Sequence, residues 1–180
     1  MNKEQNLVWI DLEMTGLDPQ QDRIIEIATI ITDGQLKEIA QGPVIVISCE
    51  ESILSGMNDW VTKTHTKSGL IDQVRASRTN IEQAEEETLA FIAAHCIENK
   101  AILAGNSIWQ DKYFMMRYMP RIIAYLNYRL LDVSSIKEAV RRWYEHDDKI
   151  SFKKADSHRA LTDIRESIEE LKHYRTYFFV

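Results

Sequence analysis

The chain has 180 residues, a size that suits one domain with its own core. An apolar share of 44% and a charged share of 28% exclude a disordered or fibrous chain, and a formal net charge of −6 argues against a surface that grips long nucleic acid by its phosphates. Two cysteines, Cys49 and Cys96, with no C-x-x-C pair, argue against a disulfide framework or a zinc knuckle and suit a reducing cytoplasmic setting.

The opening "MNKEQNL" has no basic region followed by a long apolar run, so no signal peptide is expected. The longest apolar stretch, "IIEIATII", is too short to span a membrane. "NLVWIDLE" reads as a buried strand. "MTGLDPQQDR" is a turn, broken by Gly16 and the Asp18-Pro19 pair. "IIEIATIITD" is a second, β-branched strand ending at the hairpin signal Asp33-Gly34, and "PVIVIS" is a third. "KSGLIDQVRAS" is a short amphipathic helix. Thr79-Asn80-Ile81-Glu82 resembles a capping box and opens a long helix to about Asn99. "AILAGN" is a short strand, followed by a helix from about Ser107 to Met119, where Pro120 interrupts it or opens the next turn. "YRLLDV" is the fifth strand, "SSIKEAVRRWYEH" a helix, and the last helix runs from about Ser157 to Tyr174. Three strands followed by αβαβα predict an α/β fold, a mixed five-stranded sheet flanked by helices. Its early strands are antiparallel, its later ones are joined by helical crossovers, and residues 1–180 form one domain.

Within that outline the first strand ends oddly. Residues i and i+2 of a strand share a face, so Asp11 and Glu13 sit side by side, where they repel each other and are costly to bury. Asp111, in "AGNSIWQDKYF", falls in the first turns of a helix that follows a short strand. His158 and Asp163, in "DSHRALTDIRE", fall near the start of the last helix, about 140° apart on it. Four carboxylates converging on one point would be unstable alone. Two Mg²⁺ or Mn²⁺ ions about 4 Å apart would neutralise them and form a clamp for in-line phosphoryl displacement. His158, with an ordinary pKa of about 6.5, would take a proton from the attacking water. Taken singly, each signal has a bland reading. The D-x-E pair is a solvated strand edge, Asp111 a favourable charge at a helix N-terminus, and His158 a surface or capping residue. Their order and context together carry the argument.

Asp11 and Glu13 in "DLEMTGL", Asp111 in "GNSIWQD", and His158 and Asp163 in "HRALTD" resemble the three motifs of the DEDDh 3′→5′ exonucleases, which have a ribonuclease H-like fold. The resemblance covers essentially the whole chain. "WIDLEMTGLD", "MNDWVTKTHTKSGL", "LAGNSIWQDKYF" and "YRLLDVSSIKE" are similar, within that group, to the oligoribonuclease family. The resemblance implies degradation of very short RNA, especially diribonucleotides, to 5′-mononucleotides. It implies a pocket lined by Leu17, Trp60, His65, Ser107 and Gln110. It also favours a homodimer in which Tyr128 and Arg129 reach into the neighbour's site and Ser134 helps at the same terminal phosphate.

The residues themselves fit this outline. Leu17 follows the first motif's turn, within reach of a base. Trp60, in the polar stretch "GMNDWVTK", is either an exposed stacking platform or a core residue. His65, read as opening the next helix, is a phosphate or ribose contact or a cap. Ser107 and Gln110 orient a sugar or phosphate, although Ser107 reads equally well as an N-cap. The stretch from Met115 to Arg129 is rich in Met, Tyr and Arg and contains no Lys, Asp or Glu. With the C-terminal "YRTYFFV" it is a candidate interface; the alternative is that both segments pack on their own core. An exonuclease for longer strands should show Lys/Arg-rich runs, which are absent. A binding module that had lost catalysis should lack one of the five acid and histidine positions, and all are present.

Overall fold

The computed structural model describes residues 3–145, 147–153 and 159–179. Five strands, β1 (Leu7–Met14), β2 (Ile24–Thr32), β3 (Glu38–Val46), β4 (Ile102–Gly105) and β5 (Asn127–Asp132), form one sheet in the order β3-β2-β1-β4-β5. β2 runs antiparallel to both of its neighbours, β1 and β3, and β4 and β5 run parallel to β1. The helices are α1 (Glu51–Leu54), α2 (Asp59–Lys67), α3 (Leu70–Ala76), α4 (Ile81–His95), α5 (Ile108–Tyr118), α6 (Pro120–Tyr125), α7 (Val133–Trp143) and α8 (Ala160–Phe178). This is the mixed sheet that the sequence predicts.

The alternation of β1 divides the core in two. Val8, Ile10 and Leu12 join Ile92 of α4, Phe114 and Met115 of α5 and Ile122 of α6. Leu7 and Trp9 join Val133 of α7 and Ile164, Ile168 and Tyr174 of α8. β2 is buried along its whole length, which explains a β-branched run with no polar alternation. The fully buried Trp9 indole donates from Nε1 to Thr32 Oγ1 at 2.9 Å.

Several boundaries differ from expectation. β3 begins at Glu38 rather than Pro43. It is an edge strand, and its pairing with β2 is irregular where Gly42 and Pro43 fall, so the missing proline N–H costs no ladder bond. The capping box of α4 is one residue later than read. Asn80 Oδ1 accepts from Gln83 N at 2.8 Å, and Gln83 Oε1 accepts from Asn80 N at 3.0 Å. The helix ends at His95 rather than Asn99. Pro120 opens α6. The short helices α1 and α2 were not anticipated; α2 buries only Val61 and His65, too few positions to show a period. α8 begins at Ala160 behind an extended Arg159 (φ −134°, ψ 124°), so helical spacing from His158 to Asp163 does not hold. His158 itself lies outside the described residues. Met115, Met119, Ile122, Tyr174 and Phe178, from the two candidate interface segments, belong to the chain's own core. Their exposed large apolar side chains are Met116, Tyr128, Tyr177 and Phe179.

Candidate active site

Asp11 and Glu13 continue the face of β1 that carries Leu7 and Trp9, and α8 covers that face. Where β1 reaches its acidic end, α8 has run back to its first turn, which carries Asp163. One carboxylate oxygen from each of Asp11, Glu13 and Asp163 lies within 4.8 Å of the others. The pairing of β1 with β2 slips between Glu13 and Met14, an irregularity of the kind that re-aims side chains at a strand end. Asp111 approaches from the other face, because Ile108, Phe114 and Met115 of α5 pack in the cluster that holds Leu12. Its buried Oδ1 accepts the backbone N–H of Leu12 at 3.0 Å, directly between the two strand acids.

The electrostatics follow from crowding. Burial, then the charges of Asp163, Glu26 and Asp111, push the Glu13 carboxyl up to about 8 against the opposing pull of Arg159. Burial pushes Asp111 up to about 7, with the Asp132 charge adding to it and hydrogen bonds from the Leu12 and Asp111 backbone opposing it. The donors are carboxylate oxygens alone, three of them close enough to share an ion. That set fits a hard divalent cation, which would relieve the repulsion that holds these protons on.

The other predicted residues surround this cluster. Leu17 is 72% exposed on the loop between β1 and β2. That loop is braced: Asp22 accepts from Thr15 Oγ1 at 3.0 Å and from Asp18 N at 2.9 Å, and Gln110 Nε2 donates to the Leu17 carbonyl at 2.9 Å. Gly16 is required there, since a Cβ would lie 2.3 Å from Asp22 Oδ2. Trp60 is 66% exposed in the first turn of α2, so it is not a core residue. His65 stands in the last turn of α2 rather than opening a helix, and it is buried. Its Nε2 donates to the Met14 carbonyl at 3.0 Å, and its Nδ1 lies 3.9 Å from Glu13 Oε2. Ser107 has a left-handed backbone (φ 50°, ψ 32°), and its side chain does not cap α5. Its N–H donates to Asp132 Oδ1 at 3.0 Å and to Ser134 Oγ at 2.9 Å, and the two serine hydroxyls lie 3.1 Å apart. Tyr128 and Arg129 are exposed on the edge strand β5, with the guanidinium 4.8 Å from the ring centroid.

Sequence reasoning missed the partner of Glu26. This residue stands opposite Glu13 in the β1–β2 register and is fully buried. Arg159 meets it with two bonds of 3.0 Å, from Nε to Oε2 and from Nη2 to Oε1, and also donates to Gln73 Oε1 at 3.1 Å. The signal was present, as a lone acid inside an otherwise apolar or threonine strand must be paired.

The fold and the acidic cluster fit an exonuclease, and the family match shows that the chain is one. The exonuclease family of RNase T type matches residues 8–171. The solved structures with this ribonuclease H-like fold include exonuclease I from Methylocaldum szegediense (TM-score 0.70, 19% identity, 96% of this chain and 41% of that one). Escherichia coli exonuclease I in complex with a 5cy-dT13 oligonucleotide also has it (TM-score 0.74, 16% identity, 97% of this chain and 41% of that one). The chain thus spans about two-fifths of their length, and at such identity they show the fold alone. Curated relatives match from end to end. "Oligoribonuclease" of Dichelobacter nodosus is 54% identical over 181 residues, covering 100% of this chain and 98% of the relative. That of Pseudomonas aeruginosa PAO1 is 52% identical over 178 residues, covering 99% and 98%. The chain belongs to the oligoribonuclease family of exoribonucleases. Among the described residues no helix is long and apolar enough to cross a membrane.

Proposed function

We propose that this 3′→5′ exonuclease acts on short RNA, diribonucleotides above all, and hydrolyses the phosphodiester to release 5′-mononucleotides. The observation that carries the reading is the convergence of Asp11, Glu13 and Asp163 within 4.8 Å, with Asp111 hydrogen-bonded between the strand acids. Those four carboxylates would hold two divalent cations, Mg²⁺ or Mn²⁺, which when bound supply Lewis-acid stabilisation of the reacting phosphate. His158 takes the proton of the attacking water; its neighbour Arg159, at the start of α8, is anchored to Glu26. Leu17 and Trp60 offer exposed apolar surface to bases. Ser107 and Gln110 supply hydroxyl and amide groups for sugar and phosphate, and Ser134 serves the same phosphate by supporting Ser107. His65, buried beside Glu13 with its Nε2 on the Met14 carbonyl, bears on the substrate through the Glu13 carboxylate that its Nδ1 faces at 3.9 Å. Residues 1–180 act as one exonuclease domain. The enzyme works in the cytoplasm, where Cys49 and Cys96 stay reduced.

The same reading includes a homodimer. Trp109, Tyr113 and Met116 expose an apolar stripe along α5, next to the exposed Tyr128 and Leu130 of the edge strand. A cavity of about 470 Å³, lined by Met116, Ile123, Leu126, Tyr128 and Leu130 among others, opens between them. A second copy covering this edge would bring Arg129 to the terminal phosphate, where a guanidinium orients as well as binds. Mixing Arg129→Ala with Asp111→Asn subunits should then restore part of the activity that each lacks, and a verified mixed dimer with no rescue would count against donation across the interface.

The deciding experiment follows a labelled diribonucleotide, a longer RNA and a DNA dinucleotide with Mg²⁺, Mn²⁺ or chelator. Cation-dependent cleavage fastest on the diribonucleotide is expected. A diribonucleotide left intact while longer strands are degraded would overturn the substrate assignment.

A further inference from the structure

Behind the site runs a polar network whose inner members, Glu170, Asn106 and Ser167, have no part in the reaction scheme above. Its root is Glu170 of α8, fully buried, with Lys137 Nζ 3.2 Å from its Oε1 and the Tyr174 hydroxyl donating to the same oxygen at 2.9 Å. Its Oε2 accepts from Asn106 Nδ2 at 3.0 Å. Asn106 lies between β4 and α5, in "GNSIWQD", and its Nδ2 also donates to Ser167 Oγ at 2.8 Å. Ser167 Oγ in turn donates to the main-chain carbonyl of Asp163 at 2.8 Å. On the other side of the amide, Ser134 Oγ donates to Asn106 Oδ1 at 3.1 Å.

The direction of these bonds is forced. A carboxylate accepts only, so Glu170 faces the amide nitrogen and turns Asn106 Oδ1 toward Ser134. Ser134 therefore commits its proton to Asn106 and receives the Ser107 N–H at 2.9 Å. In the 3.1 Å serine pair, Ser107 is then the donor, and it is the member whose proton can turn outward to an anionic oxygen. Ser107 is also the residue held with positive φ, a conformation that needs outside support in a non-glycine residue.

We infer that Asn106 is a positioning residue of this active site: its amide, oriented by Glu170, sets Ser107 as the donor toward substrate phosphate through Ser134 and holds the Asp163 turn of α8 through Ser167. The inference rests on the proposed cleavage of short RNA, and it makes the two branches separable. The Ser134 branch serves binding, and the Ser167 branch serves the acidic cluster.

The test combines steady-state kinetics on a diribonucleotide with calorimetric titration of Mn²⁺ and thermal melting. Asn106→Asp places an acceptor against Glu170 and Ser167 and should lower kcat/KM on the order of 10²-fold. Glu170→Gln alone should also be impaired, because its amide meets that of Asn106. Together the two changes exchange donor and acceptor while Lys137 and Tyr174 keep an oxygen, and the pair should regain about tenfold over Asn106→Asp. Ser134→Ala should raise KM with kcat nearly kept. Ser167→Ala should lower kcat and weaken Mn²⁺ binding with KM nearly kept. These two serine variants carry the test if Asn106→Asp does not fold. Three results would overturn the inference: Asn106→Asp that melts earlier yet keeps its kcat/KM and Mn²⁺ affinity, a double variant no better than the single, or the two serine variants shifting the same constant. If the unmodified enzyme leaves the diribonucleotide intact, the proposed function falls, while the Mn²⁺ affinities of Asn106→Asp and Ser167→Ala still decide the branch to Asp163.

Discussion

Two sets of carboxylates withdrawn from solvent in this fold behave oppositely. Glu26 and Glu170 are fully buried, and each is met by a cation and by hydrogen bonds, from Arg159 in one case and from Lys137, Asn106 and Tyr174 in the other. Asp111 is buried and Glu13 half-buried, and among the charges around Glu13 are three other acids. The first set joins elements distant in sequence and asks for nothing further. The second holds protons near neutral pH because burial disfavours its charges and neighbouring acids add to that. A buried acid that faces a base belongs to the scaffold, and one that faces acids belongs to a site.

Substitutions should divide along the same line. The largest effect is expected from Glu13→Gln or Asp163→Asn: turnover of a diribonucleotide should vanish while the metal-free protein melts no earlier than the original, because a source of repulsion has gone. An early melt would place these residues with Glu26. His158→Ala, which leaves all four acids in place, should lose about 10²–10⁴-fold in rate and still titrate with Mn²⁺. Arg159→Met should do the reverse of the acid substitutions. With Glu26 left charged and buried, denaturant unfolding should report a loss of about 3–5 kcal/mol, toward the lower figure because the arginine is partly exposed. The two tryptophans extend the comparison. Trp9 is buried with its N–H satisfied, whereas Trp60 is exposed. Trp60→Ala should leave the melt unchanged and weaken dinucleotide binding by about 1–3 kcal/mol in a titration.

The smallest effect is a slope with pH. Glu13 and Asp111 have folded-state values of about 8 and about 7, above their ordinary 4.5 and 3.8. Between these limits the native state holds protons that the unfolded chain has released. Stability of the metal-free protein is therefore greatest below about pH 4 as far as these groups act, and falls as pH rises toward 8. Glu13→Gln should flatten melts recorded between pH 5 and 8, and Mn²⁺ binding at pH 7 should release protons to the buffer.

Much of this was legible because it is local. Period-two alternation put Asp11 and Glu13 on one face, and strand–helix order gave the mixed sheet and the places of Asp111 and Asp163. What escaped notice was of two kinds. α1 and α2 bury too little to leave a pattern, and β3 hides its start at an exposed edge. The pairing of Glu26 with Arg159 and the links from Asn106 to Ser167 and Glu170 join residues far apart in sequence, and no local spacing reports them. The buried position of His65 is of the same kind, since it depends on how α2 meets the end of β1.

The burial of Trp9 also has a spectroscopic side. Of the four tryptophans, Trp60, Trp109 and Trp143 are open to solvent and Trp9 is sealed. An aqueous quencher such as acrylamide should reach Trp60 and Trp143, and Trp109 wherever a second copy does not cover α5, and leave a blue-shifted residue of emission from the central strand. That residue marks an intact core in every variant named above. Loss of one quenchable tryptophan when a dinucleotide binds reads occupancy at Trp60 without any turnover.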